Sequence, residues 1–340
     1  MGCATALVLA ERGADVVVLE RAVPGAEASS AAAGILGAQA ELHGRAGDAP
    51  LFVRARDAWA RWAVALRDAS GIDVGHRVSG VLRVARSAAE AGEVEREVEW
   101  QRARGLRASL LDARGAREVE PELAPDVVAA AHFPDDAQVD PPALLRALMA
   151  ALARSPRAAV RSGATVERLL VEGGRCAGVK LDDAELRADA TVLAAGSWSS
   201  LVPGVPAELP QVRPERGQMV LLDERPPRLR TIVFGAGGYV VPRGDGRVLC
   251  GSTTEHAGFR KEVTAAGVHA ILERALACVP SLGGAQVAGM WSNFRPLVAG
   301  RGALVGGSTL PGLFLATGHH RNGILLAKVT ADAVADSVLS

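Results

Sequence analysis

The start of the chain combines a helix of small side chains with a strand that ends in an acid. Residues 2–13 run between two glycines and are mostly alanine, leucine and valine. Residues 15–20 read Asp-Val-Val-Val-Leu-Glu, and such a β-branched run is typical of a buried parallel strand. A glycine-closed helix followed by this strand forms the second half of a dinucleotide-binding βαβ unit. We therefore predict an α/β fold built on a Rossmann-like parallel sheet.

The first half of that unit is missing from the sequence. In a complete unit, a G-x-G-x-x-G turn joins the first strand to the helix, and an acid about 20 residues on binds the ribose. Gly2 matches the third glycine and Glu20 matches the acid, so the first strand and two glycines are absent. We expect N-terminal truncation, with the true start upstream of Met1. The alternatives are a genuine fragment with poor dinucleotide affinity, or an ordinary strand–helix start.

Two later segments repeat the pattern of a buried strand that runs into a glycine turn. They are residues 191–199 and residues 313–323, and the second turn contains two histidines and an arginine. The apolar residues Ile324, Leu325 and Leu326 predict that a helix opens directly after it. Free backbone N–H groups and the positive end of a helix dipole would then meet in this turn. An ordinary strand–helix corner is the alternative interpretation.

Short strands separated by glycine turns dominate the stretch from Gln211 to Arg295. This pattern predicts an antiparallel sheet inserted between pieces of the parallel sheet, so both domains are discontinuous. The cofactor-binding domain is assigned to residues 1–71, 136–205 and 297–340, and the substrate-binding domain to residues 72–135 and 206–296.

Charge and cysteine content argue against several classes of partner. The 38 basic and 38 acidic residues cancel, so nothing favours nucleic acid or an anionic membrane. The four cysteines lack the spacing of zinc ligands, so we predict no metal site and reduced thiols in a cytoplasmic protein. No apolar run approaches the ~18 residues that span a bilayer. The sequence leaves homo-oligomer formation open.

The sequence resembles the D-amino acid oxidase superfamily of flavoproteins, and most closely its glycine oxidase branch, the enzyme of thiamine biosynthesis. Three stretches carry the resemblance: residues 28–41 (ASSAAAGILGAQAE), 238–243 (GYVVPR) and 318–327 (GHHRNGILLA). The order of elements also agrees from Gly2 to the end of the chain. The first and last stretches are long and specific, whereas the middle one is short. Taken alone, the first stretch would be interpreted as a tightly packed helix.

The resemblance implies that FAD binds in an extended conformation. Glu20, with Arg21 beside it, would hold the adenosine ribose, and the backbone of Val166 would lie near the adenine. The turn at 318–323 would face the flavin, whose negative charge on reduction a helix N-terminus stabilises. The remaining implied cofactor contacts are Gly2, Ser29, Ser30, Ala33, Gly34, Leu36, Ala195, Gly196, Trp198, Gly318, His320, Arg321, Asn322, Gly323 and Ile324.

Three residues are candidates for binding the substrate. Arg295 matches the family's carboxylate-binding arginine, and an arginine fork suits a carboxylate. Tyr239 is the only tyrosine and matches the family's active-site tyrosine, while Arg321 would contact flavin or substrate. A surface salt-bridge arginine and a core tyrosine are the alternatives for the first two. Residues 297–301 depart from the polar loop that is usual in the family, so the substrate identity stays open.

The activity implied by the resemblance is oxidative deamination of glycine or another small amino acid. Hydride would pass from the substrate Cα to flavin N5, and the imine would hydrolyse to an oxo acid and ammonia. Oxygen, the expected electron acceptor, would yield hydrogen peroxide. The alternatives are a dehydrogenase or oxidase of N-methyl or hydroxy acids, and a truncated flavoprotein fold without catalytic activity.

Overall fold

The structure is a computed structural model that describes residues 1–42 and 46–340. Its α-helices are α1 (Gly2–Glu11), α2 (Ala28–Ala31), α3 (Ala49–Ser70), α4 (Ala88–Arg102), α5 (Ala113–Val119), α6 (Pro141–Arg154), α7 (Ala265–Cys278) and α8 (Ala327–Leu339). Short 3₁₀ helices span Ala46–Asp48, Gly196–Leu201, Pro280–Gly284 and His320–Asn322. Within the described residues, no helix combines the length and apolar character that crossing a membrane requires.

The strands alternate with these helices in the first part of the chain and then dominate its middle. They are β1 (Val16–Glu20), β2 (Ile35–Leu36), β3 (Val81–Ala85), β4 (Ser109–Asp112), β5 (Ala129–Phe133), β6 (Ala137–Gln138), β7 (Ala158–Ser162), β8 (Val166–Glu172), β9 (Arg175–Leu181), β10 (Glu185–Arg187), β11 (Thr191–Leu193), β12 (Val212–Asp223), β13 (Ile232–Gly235), β14 (Gly238–Pro242), β15 (Arg247–Gly251), β16 (Gln286–Val298), β17 (Leu304–Gly307) and β18 (Leu313–Thr317).

Two of the parallel strand pairs lie in two small sheets. Strand β1 pairs in parallel with β7, and β11 pairs in parallel with β18, whose other edge carries the antiparallel β17. Three antiparallel strands in the order β10-β9-β8 form a separate sheet, in which β8 and β9 are a hairpin. The predicted combination of parallel and antiparallel sheets is therefore confirmed, although the parallel strands do not form one continuous sheet.

The largest sheet has eight strands in the order β16-β12-β15-β14-β13-β3-β5-β4. All of its neighbouring strands are antiparallel except β13 and β3. Strands β3 to β5 and β12 to β16 come from the two segments assigned to the substrate-binding domain, and β16 continues past 296 to Val298. The sheet brings β12 and β16, the strands of the candidate substrate arginine, together over their full length.

A helical core lies beside the parallel strands. Helices α1, α3, α6 and α8 contribute most of its buried side chains, and the small residues of α1 allow close approach of the neighbouring helices. Trp59 of α3 is fully buried, and its Nε1–H donates to the carbonyl of Leu325 at 3.0 Å. This bond connects α3 directly to the segment that precedes α8.

The last helix begins later than the sequence predicted. A 3₁₀ helix at His320–Asn322 follows the glycine turn, and α8 starts only at Ala327, so the expected start at Ile324 was wrong. Residues 323–326 form a turn between the two helices, and within it the N–H of Leu326 donates to the carbonyl of Asn322 at 2.9 Å. The apolar run that suggested a helix start is instead used for burial, because Leu325 and Leu326 join the core.

A buried carboxylate, Asp136, holds the end of residues 28–41, which we call the small-residue segment. Its oxygens accept the N–H groups of Gln39 and Ala40 at 2.9–3.2 Å, and Arg56 approaches to 3.4 Å. Burial raises the pKa of Asp136 to about 7, although the backbone bonds to Ala40 and Gln39 and the charge of Arg56 act in the opposite direction. The ordinary value is 3.8, so the folded chain retains a proton that the unfolded chain loses.

The stability of the chain should therefore fall as the pH rises from about 4 to about 7. Over this window folding takes up a proton at Asp136, and the free energy of unfolding decreases by at most ~1.4 kcal/mol per pH unit. Asp136→Asn should remove this dependence, and urea unfolding at pH 5 and pH 7 measures it. Asp135→Asn is the matched control, since it removes a neighbouring carboxylate that pairs with Arg107 at 2.6 Å. An identical pH dependence in wild type and Asp136→Asn would contradict the prediction.

Candidate active site

The glycine turn after β18 has a backbone that few residues could adopt. Gly318 has φ +77°, and a Cβ there would lie 2.7 Å from Val298 Cγ2, so both conformation and space favour glycine. The next residue, His319, turns inward and its Nε2 lies 3.0 Å from the hydroxyl of Thr330. Burial lowers the pKa of His319 to about 3, so this imidazole is a neutral packing residue.

The second histidine points the other way, towards the large sheet. His320 has φ +50°, and its Nε2 lies 2.8 Å from Oε1 of Glu215 on β12. Burial lowers the pKa of His320, and the opposing effect of the Glu215 carboxylate does not fully offset it. The imidazole is therefore neutral at pH 7 and donates its Nε2–H to the carboxylate. Of the two histidines in the turn, His320 is the one that reaches the candidate site.

The carboxylate of Glu215 also contacts the candidate substrate arginine. Glu215 and Arg295 are direct cross-strand partners on β12 and β16, and Nη1 of Arg295 lies 3.3 Å from Oε1. Burial tends to raise the pKa of Glu215, but the His320 hydrogen bond and the charges of His320 and Arg295 lower it overall. Since His320 is neutral at pH 7, its hydrogen bond and Arg295 carry this effect. Glu215 is thus an ionised carboxylate with 7% of its side chain exposed.

The remaining contacts of Arg295 fix its direction. Nη2 donates to Oγ of Ser252 at 2.6 Å, and both terminal nitrogens lie 3.2 Å from the carbonyl of Thr253. The guanidinium packs on the backbone of Gly217, where any Cβ would overlap it. The side chain is 16% exposed, so the sheet holds a nearly buried guanidinium in one orientation. A fork held in this way is preorganised for a carboxylate.

A cavity of about 490 Å³ lies next to this cluster. Its lining includes Tyr239, Arg321, and the two residues that bind Arg295, Ser252 and Thr253. The hydroxyl of Tyr239 lies 3.3 Å from Met219 Sδ, and its ring lies 5.6 Å from that of Phe234, which also lines the cavity. The structure therefore places Tyr239 and Arg321 on one cavity and Arg295 immediately behind its wall.

Arg321 is held by an acidic residue at the end of the small-residue segment. Its Nε and Nη2 donate to the two carboxylate oxygens of Glu41 at 3.1 and 3.3 Å. Burial acts to lower the pKa of Arg321, but the Glu41 carboxylate raises it overall. The bidentate pair fixes the guanidinium at the cavity. It also joins the two long stretches, 28–41 and 318–327, on which the family resemblance rests.

The residues predicted at the adenosine end lie at the end of β1. Oε1 of Glu20 accepts the N–H of Ala22 at 2.9 Å, and the Glu20 carbonyl accepts the N–H of Ala164 at 2.9 Å. This second bond brings β8, which begins at Val166, next to the acid. The guanidinium of Arg21 stacks on the ring of Trp198 at 4.2 Å. These four predicted residues therefore lie along a connected surface.

The other predicted cofactor segments meet at the carboxyl ends of the parallel strands. Thr317, the last residue of β18, donates to the carbonyl of Gly196 at 3.1 Å and lies 2.8 Å from the hydroxyl of Ser199. Ala194, directly before Ala195, lies 3.5 Å from the Cβ position of Gly2. The two strand–glycine turns and the start of α1 are thus neighbours, as expected where a dinucleotide crosses such strand ends.

The small-residue segment is used in part for packing. Leu36 is fully buried in the core, and Ala33 is also buried, so both of these predicted contact residues pack against the protein. Gly34 has φ +74° and packs against Val139. Ser30 donates to the carbonyl of Gly25. The helix α2 that carries both serines is joined to β16 by Trp291, whose Nε1–H donates to Ala31 at 3.1 Å.

These features fit FAD in three respects. A carboxylate at the end of β1 suits ribose hydroxyls, and the Cβ direction of Gly196 meets no atom within 4 Å, which leaves room for a ligand against the backbone. In α1, Thr5 carries a buried hydroxyl without a hydrogen-bond partner in the described part of the chain. The individual cofactor contacts, including those of Asn322, Gly323 and Ile324, stay predictions. No cluster of metal-binding side chains occurs among residues 1–42 and 46–340.

Sequence reasoning missed three residues of the site. Glu215 carries no recognisable motif, and its position depends on the register between β12 and β16. Gly217 belongs to the site because a Cβ at this position would overlap the guanidinium of Arg295. Glu41 ends the resembling stretch 28–41, and an acid at this position is a signal for an arginine partner such as Arg321.

Comparisons with known proteins agree with this geometry. The family model described as FAD dependent oxidoreductase, DAO, matches residues 1–337. The chain is 34% identical over 349 residues to a glycine oxidase of Geobacillus kaustophilus, covering 99% of this chain and 90% of the relative. The crystal structure of glycine oxidase from that organism superimposes with a TM-score of 0.93, covering 99% of this chain and 91% of the other.

A second type of relative is longer. The chain is 35% identical over 344 residues to the bifunctional protein ThiO/ThiG of Nostoc sp., which covers 100% of this chain and 51% of the relative. The chain thus spans about half the length of this bifunctional relative. Because the family model covers nearly the whole chain and the fold agrees, the chain belongs to the DAO family of FAD-dependent oxidoreductases.

Proposed function

We propose that this chain, with FAD bound, oxidises a small amino acid, and that glycine is its first candidate substrate. The observation that carries the proposal is the convergence of Tyr239, Arg321 and the partners of Arg295 on one cavity. FAD supplies the acceptor for hydride from the substrate Cα, and the products are an oxo acid, ammonia and, with oxygen, hydrogen peroxide. The similarity to a glycine oxidase over 99% of the chain supports this proposal.

The protein's own residues act by positioning the substrate. Arg295 binds its carboxylate, using the Nε–H, which makes no hydrogen bond to a described residue, and the terminal N–H groups that now hold Ser252 and Glu215. Tyr239 lines the same cavity and offers a hydroxyl to the second carboxylate oxygen. Phe234 and the Tyr239 ring form an apolar side wall. Holding the substrate in one orientation is the main contribution to rate expected from such a site.

The first prediction concerns reduction of the bound flavin. The purified chain supplied with FAD should be yellow, and anaerobic glycine should bleach it. Arg295→Ala removes the carboxylate ligand, so kcat/KM should fall by at least ~100-fold, as expected for loss of a charge-assisted bidentate contact. Stopped-flow absorbance measures the reduction, and oxygen uptake with glycine, sarcosine and glycolate defines the substrate class.

Arg301→Ala is the control for this experiment, because it removes an exposed arginine just beyond β16. It should leave the reduction rate unchanged. A protein that stays colourless with added FAD would overturn the proposed function, as would a yellow protein that no tested amino acid reduces.

The second prediction concerns the pair that fixes Arg321. Glu41→Gln removes the charge that holds the guanidinium at the cavity, so kcat/KM for glycine should fall by about tenfold. The melting temperature should change little, because a partly exposed ion pair contributes little to stability. Glu118→Gln, which removes an exposed carboxylate bonded to Arg114 at 2.9 Å, is the matched control. Wild-type kinetics in Glu41→Gln would show that Arg321 needs no such anchor.

A further inference from the structure

An arginine and a tyrosine bind the carboxylate of an amino acid and of a hydroxy acid equally well. A site built from Arg295 and Tyr239 alone therefore has no group that recognises a substrate ammonium. Glu215 is the carboxylate nearest to Arg295, and the two side chains lie on the same face of adjacent strands. It is well placed to supply the missing recognition.

The hydrogen bonds of Glu215 leave one of its oxygens available. Both Arg295 and His320 bond to Oε1. Within residues 1–42 and 46–340, Oε2 accepts no hydrogen bond. It is also not among the fully enclosed side-chain atoms that lack a hydrogen-bond partner. An ionised carboxylate accepts several hydrogen bonds, and a nearly buried one gains most from a charged donor. The free oxygen is therefore an acceptor beside the fork of Arg295.

Only one cation is in direct contact with the Glu215 carboxylate among the described residues. Arg295 is the permanent cation in contact with it, while His320 is neutral at pH 7. Arg321 acts on Glu215 only through space, and its guanidinium is already paired with Glu41. His256 lies farther away and acts on Glu215 only through space. The local arrangement is one positive and one negative group side by side, with 3.3 Å between Arg295 Nη1 and Glu215 Oε1.

We propose that Glu215 selects zwitterionic α-amino acids by binding the substrate ammonium while Arg295 binds the carboxylate. The ammonium then passes one proton to the Glu215 carboxylate, which leaves the neutral amine from which loss of hydride gives the imine. The two charges of an α-amino acid are separated by a single carbon atom, so they match a guanidinium and a carboxylate on adjacent strands. A hydroxy acid has no cation for Glu215, and its carboxylate is repelled by it. The inference rests on the proposed function in one respect, the use of Arg295 as the carboxylate ligand.

A pair of ligands that cannot be oxidised tests this proposal separately from catalysis. 2-Aminoisobutyrate and 2-hydroxyisobutyrate differ only in the ammonium and hydroxyl groups, and neither has a hydrogen on Cα. Calorimetric titration of the FAD-supplemented chain at pH 7.5 gives both dissociation constants. Wild type should bind the amino acid at least about tenfold more tightly, as expected for a hydrogen bond between charged groups.

Glu215→Gln should move the two affinities in opposite directions. The amino acid should bind more weakly and the hydroxy acid more tightly, so the ratio falls towards one. A residue that only holds Arg295 in place would weaken both ligands together when replaced. Glu224→Gln is the matched control, since it replaces a buried carboxylate beyond the end of β12 that accepts from Arg228 at 2.8 Å. Its ratio should stay at the wild-type value.

Three outcomes would overturn the proposal: equal binding of the two ligands by wild type, no measurable binding of either, or parallel weakening of both in Glu215→Gln. Circular dichroism of the variant checks that it is folded. If Glu215→Gln fails to fold, Glu215→Asp shortens the side chain and should reduce the ratio while keeping the charge. A chain that shows the expected ratio but is not reduced by glycine would retain this inference and lose the proposed function.

Discussion

The hydrogen bonds of Asp136 are the constraint on which the candidate site depends. They hold the backbone at Gln39 and Ala40, and the next residue, Glu41, fixes Arg321 at the cavity. The Ala40 carbonyl also accepts from Arg83 of the large sheet, which lines the same cavity. One short segment therefore connects the helical core, the large sheet and the glycine turn at 318–323. Charges buried at such a junction are costly unless each is paired, and here each has a partner.

The fold was largely predictable because its signals are local. The β-branched runs, the glycine turns and the spacing of Phe52, Trp59 and Leu66 on α3 each depend on nearby residues in the sequence. Asp140 directly precedes α6, but its side chain accepts a hydrogen bond from Arg247 at 2.8 Å and none from the helix backbone. The last helix also begins later than predicted, because Leu325 and Leu326, which were expected to open it, are buried in the core before the helix starts.

The candidate site was predictable only where the resemblance named its residues. Arg295, Tyr239 and Arg321 were found in this way; Tyr239 and Arg321 line one cavity, and Arg295 lies directly behind its wall. Glu215 was not found, because it is 80 residues away from Arg295 and carries no motif of its own. Its role follows from strand pairing, which a single sequence does not specify at the level of individual partners. A sequence motif can identify residues such as Arg295, whereas residues such as Glu215 are identified only once the pairing of the strands is known.

The register of β12 also has a consequence for how the chain reaches this arrangement. Glu215 and Gly217 face Arg295, whereas Arg216 points to the opposite side and pairs with Glu255. A slip of one residue would place Arg216 against Arg295 and a side chain where only glycine fits. Such a misaligned sheet would bring two guanidinium groups into contact in a nearly dry environment. The charges of the candidate site therefore also disfavour this misalignment of β12 with β16 during folding.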